Sequence, residues 1–268
     1  MSAAPDQAPR QSELFRVDGK VALITGSSRG IGRAIAEQMA AAGARVVISS
    51  RKLDACEQVR DSLVSAGHEA MAVACNVGKR DDVEKLADTV LDEWGRVDIL
   101  VVNAAINPHY GPLTSITEEL WNKMFAANLA SGLWLVNRVA PGMAERHSGS
   151  IIFLSSISGL FGSALLGAYS VTKASQAQLA RSLAVEWGKQ GVRVNAIAPG
   201  VIETDLARAL YEDPKARARI ERSTCLGRLG KPLDVAGLAV FLAAPASSYV
   251  TGQLLVVDGG ASINSAIG

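Results

Sequence analysis

The chain has 268 residues and a formal net charge of +1 at pH 7, and 49% of its residues are hydrophobic. That length suits one large α/β domain, and the balanced charge argues against a nucleic acid or an anionic membrane as partner. No run of about 18 uncharged apolar residues predicts a transmembrane helix. The three widely spaced cysteines predict reduced thiols in a cytoplasmic protein.

Short apolar runs rich in Val and Ile alternate with helical patterns along the chain. The runs predict seven strands, at residues 21–25, 45–49, 70–75, 99–103, 150–154, 192–197 and 254–258. The segments between them predict six helices, at residues 31–42, 52–66, 81–94, 117–144, 168–189 and 233–243. Because the strands lack polar alternation, they should be buried on both faces. The α/β class follows, with a Rossmann-type, doubly wound parallel sheet of seven strands and helices on both faces.

The domain organisation predicted from this pattern is simple. Residues 1–14 lack the apolar core of a signal peptide, and we expect them to form a disordered tail. Residues 15–268, without repeats or low-complexity linkers, should form a single dinucleotide-binding catalytic domain. Residues 203–230 are polar and helical without a strand, so they are either a lid over a substrate or a solvated surface excursion.

A glycine-rich turn follows the first predicted strand and opens the first helix. Gly26 permits a tight turn, Gly30 lets the backbone approach a pyrophosphate, and Gly32 allows the helix to pack closely on the sheet. The helix N-terminus offers free N–H groups and a partial positive charge to phosphate. The spacing is GxxxGxG, one residue longer than the common dinucleotide fingerprint.

The end of the second predicted strand favours NADP(H) over NAD(H). An NAD site usually has a carboxylate about 20 residues past the glycines, to bind the ribose 2′-hydroxyl. Here Ser50, Arg51 and Lys52 stand in its place, and Arg29 of the glycine turn is a further cation. Guanidinium groups suit a 2′-phosphate because they form bidentate, charge-assisted hydrogen bonds. The alternative is that these are solvated charges at a strand end.

Tyr169 and Lys173 are four residues apart in a predicted helix, so their side chains share one face. A nearby ammonium favours the ionised phenol, which predicts a Tyr169 pKa below the usual value of about 10. Such a group is suited to general acid–base catalysis. Taken alone, the pair is more typical of an ordinary helix surface.

Considered together, these motifs resemble the short-chain dehydrogenase/reductase family, over residues 17–262. The family's T-G-x3-G-x-G turn, an Asn-Ala segment after the fourth strand, Ser-x12-Tyr-x3-Lys and a Pro-Gly after the sixth strand occur here in family order. Several stretches are similar to NADP-dependent retinal and ketone reductases, namely VVISSRK, CNVGKRDDVEKL, VNAAINPHYGPLTSITEELWNK and LGRLGKP.

The resemblance implies a role for each catalytic position. Ser156 would bind the substrate oxygen, and Tyr169 would act as acid in reduction or base in oxidation. Lys173 would bind the nicotinamide ribose and lower the Tyr169 pKa, and Asn128 would position a water in a proton relay to Lys173. The implied catalytic residues are Asn128, Ser156, Tyr169 and Lys173.

The turn, the strand ends and the resemblance together predict a cofactor site. Asn76 and Val77 would meet the adenine, and residues 199–204 would cover the nicotinamide, with Thr204 on its carboxamide. The full set is Gly26, Ser28, Arg29, Gly30, Ile31, Gly32, Ser50, Arg51, Lys52, Asn76, Val77, Asn103, Ala104, Ala105, Tyr169, Lys173, Pro199, Gly200, Ile202 and Thr204.

Two positions depart from the family pattern. The family commonly has Asp where Asn76 stands and Gly where Ala105 stands. An amide can still hydrogen-bond adenine, and Ala105 suggests a backbone that does not need positive φ there. The three histidines have no ligand spacing, so no metal site is expected.

The resulting prediction is an oxidoreductase that transfers a hydride between NADP(H) and a ketone, aldehyde or secondary alcohol, most simply a carbonyl reductase. The resemblance also implies a homotetramer. Alternatives are a 3-oxoacyl-carrier-protein reductase, an NAD-dependent alcohol or hydroxysteroid dehydrogenase, and a non-catalytic dinucleotide-sensing scaffold. Leu160, Phe161, Leu165 and Leu166 could wall an apolar pocket or belong to an oligomer contact or the core.

Overall fold

The computed structural model describes residues 13–264 and contains one seven-stranded parallel sheet with the strand order β3-β2-β1-β4-β5-β6-β7. This order confirms the predicted doubly wound fold, and the chain reverses its direction of winding between β1 and β4. The strands are β1 Val21–Thr25, β2 Arg45–Ser50, β3 Ala70–Ala74, β4 Ile99–Val102, β5 Gly149–Leu154, β6 Val192–Pro199 and β7 Leu254–Val257.

Helices connect the strands and cover both faces of the sheet. They are α1 Gly30–Ala41, α2 Leu53–Ser65, α3 Arg80–Trp94, α4 Glu118–Phe125, α5 Ser131–Glu145, α6 Gly167–Trp187, α7 Arg208–Tyr211, α8 Pro214–Ser223 and α9 Pro232–Ala243. None of those in the described part of the chain is both long and apolar enough to cross a bilayer.

Alternate side chains of each central strand feed two separate cores. On β1, Ala22 and Ile24 pack with α1, α2 and α9, whereas Val21 and Leu23 pack with α3, α5 and α6. Successive side chains of a strand point to opposite faces, so a strand between two helical layers needs apolar residues at every position. This explains the unbroken apolar runs in the sequence.

One predicted helix contains an irregularity that its sequence does not show. The segment 117–144 is helical throughout, as predicted, but the π-helical turn Ala126–Ala130 lies between the parts named α4 and α5. Thr117 caps α4, since its hydroxyl accepts from the Leu120 N–H. Hydrophobic periodicity does not reveal a π turn, because one wider turn shifts the apolar stripe only slightly.

The remaining predictions fall at the ends of the domain and in the insertion. Residues 1–12 lie outside the described residues, as do 265–268, but residue 14 of the predicted tail is attached to the domain. Its carbonyl accepts from the Ala246 N–H, at 2.9 Å. The segment 203–230 is helical and lacks a strand, as its pattern predicts, and it contains α7 and α8.

Candidate active site

The glycine turn adopts a backbone that requires glycine. Gly26 and Gly30 have φ of +68° and +57°, and a Cβ at Gly26 would lie 2.8 Å from Nδ2 of Asn103. A Cβ at Gly32 would lie 2.4 Å from the Gly26 carbonyl oxygen. Each glycine therefore either has left-handed backbone geometry or allows a close approach, as a phosphate-binding turn needs.

The N-terminus of α1 is chemically prepared for an anion. No side chain caps it at Arg29, and its first turn contains no acidic residue. Its first N–H groups thus have no intrahelical or capping partner. Free N–H groups and the positive end of the helix dipole suit the pyrophosphate of a dinucleotide, and the residues present fit that group.

Asn103 holds the turn from the neighbouring strand. Its Nδ2 donates to the carbonyls of Thr25 and Gly26, at 2.8 and 3.1 Å. The backbone N–H groups of Asn103 and Ala104 both donate to the Thr25 hydroxyl. The Asn103 side chain is therefore a structural clamp beneath the turn. Ala105 has ordinary negative φ, since His147 is the only non-glycine residue with positive φ within 13–264.

Two of the four predicted 2′-phosphate ligands are unpaired cations. Arg51 and Lys52 are exposed just after β2, and neither has an ion-pair partner in the described part of the chain. The Ser50 hydroxyl lies beside them and bonds the Lys52 carbonyl at 3.3 Å. Arg29 instead pairs with Asp205 at 3.2 Å, in the segment 203–230. Both side chains of that pair are about half exposed or more, so the pair is weak and a phosphate can compete for Arg29.

At the predicted adenine site, Asn76 already uses some of its hydrogen-bonding groups within the protein. Its Oδ1 accepts from the Gly78 N–H at 3.1 Å, and its backbone N–H donates to Asp82. The Nδ2 group has no partner within residues 13–264, so it remains a donor for a purine nitrogen. Val77 follows in the same turn.

The segment predicted to cover the nicotinamide lies against the glycine turn. The methyl carbon of Thr204 is 3.3 Å from where a Cβ on Gly30 would stand. Ile202 forms an isolated parallel bridge with Gly230, which ties the two ends of the insertion together. Pro199 and Gly200, at the end of β6, bring this segment to the same edge of the sheet.

Ser156 follows β5 and presents a hydroxyl suited to donate. Its Oγ accepts from the Ser158 N–H at 3.1 Å and from the Ser158 hydroxyl at 2.7 Å. With both of its lone pairs engaged, the Ser156 proton is left to bind a substrate oxygen.

Tyr169 and Lys173 project from α6 toward the same edge. The Lys173 Nζ lies 5.4 Å from the centre of the Tyr169 ring. It donates to the Leu154 carbonyl at 2.6 Å and to Oε1 of Gln176 at 3.2 Å. An ammonium has three donors, so one remains for a cofactor hydroxyl.

Burial controls the protonation of this pair. It lowers the pKa of Lys173 to about 7, and it raises the pKa of Tyr169 above its ordinary value. The expectation that Lys173 lowers the Tyr169 pKa is therefore wrong for this structure. The physical reason is that a low-dielectric surrounding disfavours phenolate and ammonium alike. A protonated phenol is the form needed to donate a proton.

Asn128 lies in the π turn and joins three segments of the site. Its Oδ1 accepts from the Ile106 N–H at 2.8 Å, and its Nδ2 donates to the Ile106 carbonyl at 2.9 Å. The same Nδ2 reaches the Thr172 hydroxyl at 3.2 Å, which in turn donates to the Tyr169 carbonyl. The Asn128 side chain thus fixes the loop after β4 and the helix that carries Tyr169.

The structure brings Asn128, Ser156, Tyr169 and Lys173 to the carboxyl end of the sheet, where open α/β sheets bind ligands. Three participants were not predicted from the sequence: Asp205, Thr172 and Gln176. They are polar residues at unremarkable helical or loop positions, and only their partners identify them. No cluster of His, Cys, Asp and Glu within residues 13–264 could hold a metal ion.

Comparison with known proteins gives a consistent assignment. Residues 26–262 match a family model described as Enoyl-(Acyl carrier protein) reductase. Dehydrogenase/reductase SDR family member 4 of Bos taurus is 41% identical, over 91% of this chain and 88% of its own length.

Two solved structures share the fold closely. A gluconate 5-dehydrogenase from Burkholderia cenocepacia, in complex with NADP and tartrate, has a TM-score of 0.90 at 33% identity and covers 95% of this chain and 99% of its own. A 7α-hydroxysteroid dehydrogenase with NADH and 7-oxo glycochenodeoxycholic acid has a TM-score of 0.90 at 35% identity and covers 94% and 98%. The chain therefore belongs to the short-chain dehydrogenase/reductase family and is an oxidoreductase acting on CH–OH or C=O groups.

Proposed function

We propose that this protein is an NADP(H)-dependent carbonyl reductase whose catalytic residues are Asn128, Ser156, Tyr169 and Lys173. The observation that carries the proposal is the pairing of Tyr169 with the buried Lys173, which is bonded to neutral acceptors. A titratable pair with pKa values displaced by burial, at the ligand-binding edge of an α/β sheet, is what proton transfer coupled to hydride transfer needs.

Each side chain has a distinct task. The nicotinamide cofactor, when bound, supplies the hydride for carbonyl reduction. The Ser156 hydroxyl donates a hydrogen bond to the carbonyl oxygen, and Tyr169 gives that oxygen its proton. Lys173 places its remaining N–H toward the ribose and a positive charge near Tyr169. Asn128 keeps α6 and the loop after β4 in register.

NADP(H) is supported over NAD(H) by the charges after β2. Arg51 and Lys52 have no ion-pair partner within residues 13–264, and residues 49–52 include no competing carboxylate. The similar gluconate 5-dehydrogenase was solved with NADP. The proposed cofactor-binding residues are those predicted from the sequence, with Asn103 acting beneath the turn through its side chain.

Exchanging the charge at position 51 tests the cofactor assignment. Arg51→Asp should lower kcat/KM for NADPH about 10- to 100-fold relative to NADH, because one charge-assisted contact to the 2′-phosphate is lost. Arg60→Asp makes the same charge change on α2 and should leave the cofactor ratio unchanged. A wild-type preference for NADH would refute the NADP(H) assignment.

The rim of the site favours an apolar carbonyl substrate. Leu160, Phe161 and Leu165 are exposed between Ser156 and Tyr169, and Leu206 and Leu210 are exposed on the segment 203–230. We propose that this segment is a lid, and its apolar side chains on an otherwise charged stretch support that role.

Turnover on a substrate panel discriminates the remaining candidates. Ketones, aldehydes, quinones and 3-oxoacyl thioesters are each mixed with NADPH, and the loss of NADPH absorbance is followed. Reduction of apolar ketones or aldehydes supports the proposal, whereas activity confined to acyl thioesters favours the acyl-carrier reductase. NADPH binding without turnover on any of them favours a dinucleotide sensor.

A second candidate is a hydroxysteroid dehydrogenase, because the similar 7α-hydroxysteroid dehydrogenase was solved with a 7-oxo steroid acid and NADH. The rim of apolar side chains would accept such a substrate equally well. Oxidation of hydroxysteroids with NAD⁺, faster than ketone reduction with NADPH, would select this candidate.

We also propose a homotetramer in the cytoplasm. Val256 on the edge strand β7, Val185 on α6 and Ile263 are exposed apolar side chains, which further copies of the chain could cover. The thiols of Cys56, Cys75 and Cys225 are all free, which suits a reducing compartment. Sedimentation equilibrium tests the assembly: a mass of one chain would contradict it.

A further inference from the structure

Gln176 is a fully buried polar side chain one turn beyond Lys173 on α6. Its Nε2 donates to the backbone carbonyl of Asn128 at 2.5 Å. Its Oε1 accepts from the Lys173 ammonium at 3.2 Å. The amide therefore links two residues of the proposed catalytic set and satisfies hydrogen-bonding groups on both.

The orientation of this amide is fixed by its partners. A carbonyl oxygen can only accept, and an ammonium can only donate, so Nε2 must face Asn128 and Oε1 must face Lys173. The reverse orientation would place oxygen against oxygen and nitrogen against ammonium in a buried site, which is costly.

The Asn128 carbonyl lies in the π turn and takes a side-chain partner. A wider turn shifts the helical hydrogen-bond ladder, which favours side-chain donors to the carbonyls of that turn. The neighbouring Ala127 carbonyl likewise accepts from the Ser131 hydroxyl at 2.7 Å. Gln176 serves the next carbonyl along, that of Asn128.

Among residues 13–264, no carboxylate forms an ion pair with Lys173. The groups facing it are the Leu154 carbonyl from β5, the Asn128 turn through Gln176, and the Tyr169 ring on its own helix. Tyr169 is the titratable group among them, and burial alone accounts for the lowered pKa of Lys173. Each neutral acceptor therefore matters for keeping the ammonium charged.

We propose that Gln176 is a positioning residue: anchored on the Asn128 carbonyl, its amide oxygen holds the Lys173 ammonium charged and oriented. This rests on the proposed function for the role of Lys173 in turnover.

The test is the titration of Lys173 in the cofactor-free protein, followed by NMR of lysine labelled with ¹³C at Cε. Lys173→Met identifies the resonance by its absence. Gln176→Leu keeps the side-chain volume and removes the acceptor, so the Lys173 midpoint should fall by about one pH unit, tenfold in proton affinity. Gln178→Leu makes the same change at an exposed position of α6 and should leave the midpoint unchanged.

The Lys173 midpoint tests the role of Gln176 without any measurement of enzyme activity. If Gln176→Leu does not fold, Gln176→Ala removes the same amide and should also lower the midpoint. An unchanged Lys173 midpoint in the folded variant overturns the proposal. A lowered midpoint in a protein that reduces no carbonyl would leave the positioning role intact and refute the proposed function. In an active enzyme, Gln176→Leu should also displace the pH profile of kcat, which Gln178→Leu should not.

Discussion

The two ends of the sheet each bury one charged side chain and treat it in opposite ways. At the amino end, Asp98 is 2% exposed, and it accepts from Nη2 of Arg96 at 2.5 Å and from the Val21 N–H at 3.0 Å, with Arg146 at 3.8 Å. At the carboxyl end, Lys173 is also 2% exposed but has only neutral acceptors.

The difference distinguishes a charge that stabilises the fold from a charge suited to proton transfer. Asp98 is neutralised by two guanidinium groups and tied to the start of β1, so it fixes how β1 and β4 begin. Lys173 lacks an opposite charge, and its protonation is therefore easily changed near neutral pH. Buried titratable groups without an opposite charge beside them are typical of sites that transfer protons.

The amino end of the sheet also adjoins a cleft. A cleft of about 820 Å³ adjoins Asp98 and is also lined by Lys20, Arg193 and Tyr249. Its partly buried cation Arg193 donates to the Ser247 hydroxyl at 2.7 Å, and Asp98 is already paired. The polar groups there bind one another, whereas those at the carboxyl end leave donors for a ligand.

The greatest change in activity is expected from removing the proposed proton donor at the carboxyl end, Tyr169. Tyr169→Phe should lower kcat for carbonyl reduction roughly 10²- to 10⁴-fold, because the phenolic proton is lost. The Kd for NADPH should stay within about twofold, because a phenyl ring keeps the packing. Tyr249→Phe, at a fully exposed tyrosine, is the matched control. Near-normal kcat in Tyr169→Phe would show that another group supplies the proton.

The next effect is on stability and concerns the unpaired charge. The Lys173 pKa is about 7 in the fold, against 10.5 for the free side chain. Between these two pH values the unfolded chain binds more protons than the folded one. The free energy of unfolding therefore increases as pH rises from about 7 to 10.5. Lys173→Met should remove that slope and stabilise the protein below pH 7 by roughly 2–4 kcal/mol.

Urea unfolding at pH 6, 8 and 10 measures this slope. Lys85→Met, at an exposed position on α3, should keep the wild-type pH dependence. If Lys173→Met is less stable than the wild type at pH 6, Lys173 is not a destabilising charge, and the contrast with Asp98 is lost.

A smaller effect on stability is expected from removing the buried carboxylate Asp98 at the amino end. Asp98→Ala should lower the free energy of unfolding by about 2 kcal/mol, since the Val21 N–H and Arg96 lose their acceptor. The loss is limited because Arg96 is partly exposed and can turn to water. The kcat of the folded enzyme should be unchanged. A large fall in kcat would couple the two ends and contradict their separate roles.

Much of this architecture could be predicted from the sequence, because local rules agree with the fold. Apolar runs located all seven strands, and the glycine-rich motif located the turn between β1 and the N-terminus of α1. The four-residue spacing of Tyr169 and Lys173 predicted that they share one face of a helix, a prediction that requires only helical geometry.

What could not be predicted depends on partners distant in sequence. Arg29 pairs with Asp205 across 176 positions, and Gln176 reaches a carbonyl exposed by a π turn that periodicity does not show. The direction of the Tyr169 pKa also failed, because sequence spacing reveals a neighbouring charge but not the depth of burial. Burial is a property of the whole fold.

The titration of Lys173 in the wild-type protein decides whether the carboxyl end buries a charge without a counter-ion. Because the ammonium lies in a buried site with neutral acceptors, its ¹³Cε resonance should titrate near pH 7. The other lysines should titrate near their ordinary value of about 10.4. A Lys173 midpoint close to theirs would mean that this charge is stabilised like any surface lysine, and would contradict the distinction between the two ends of the sheet.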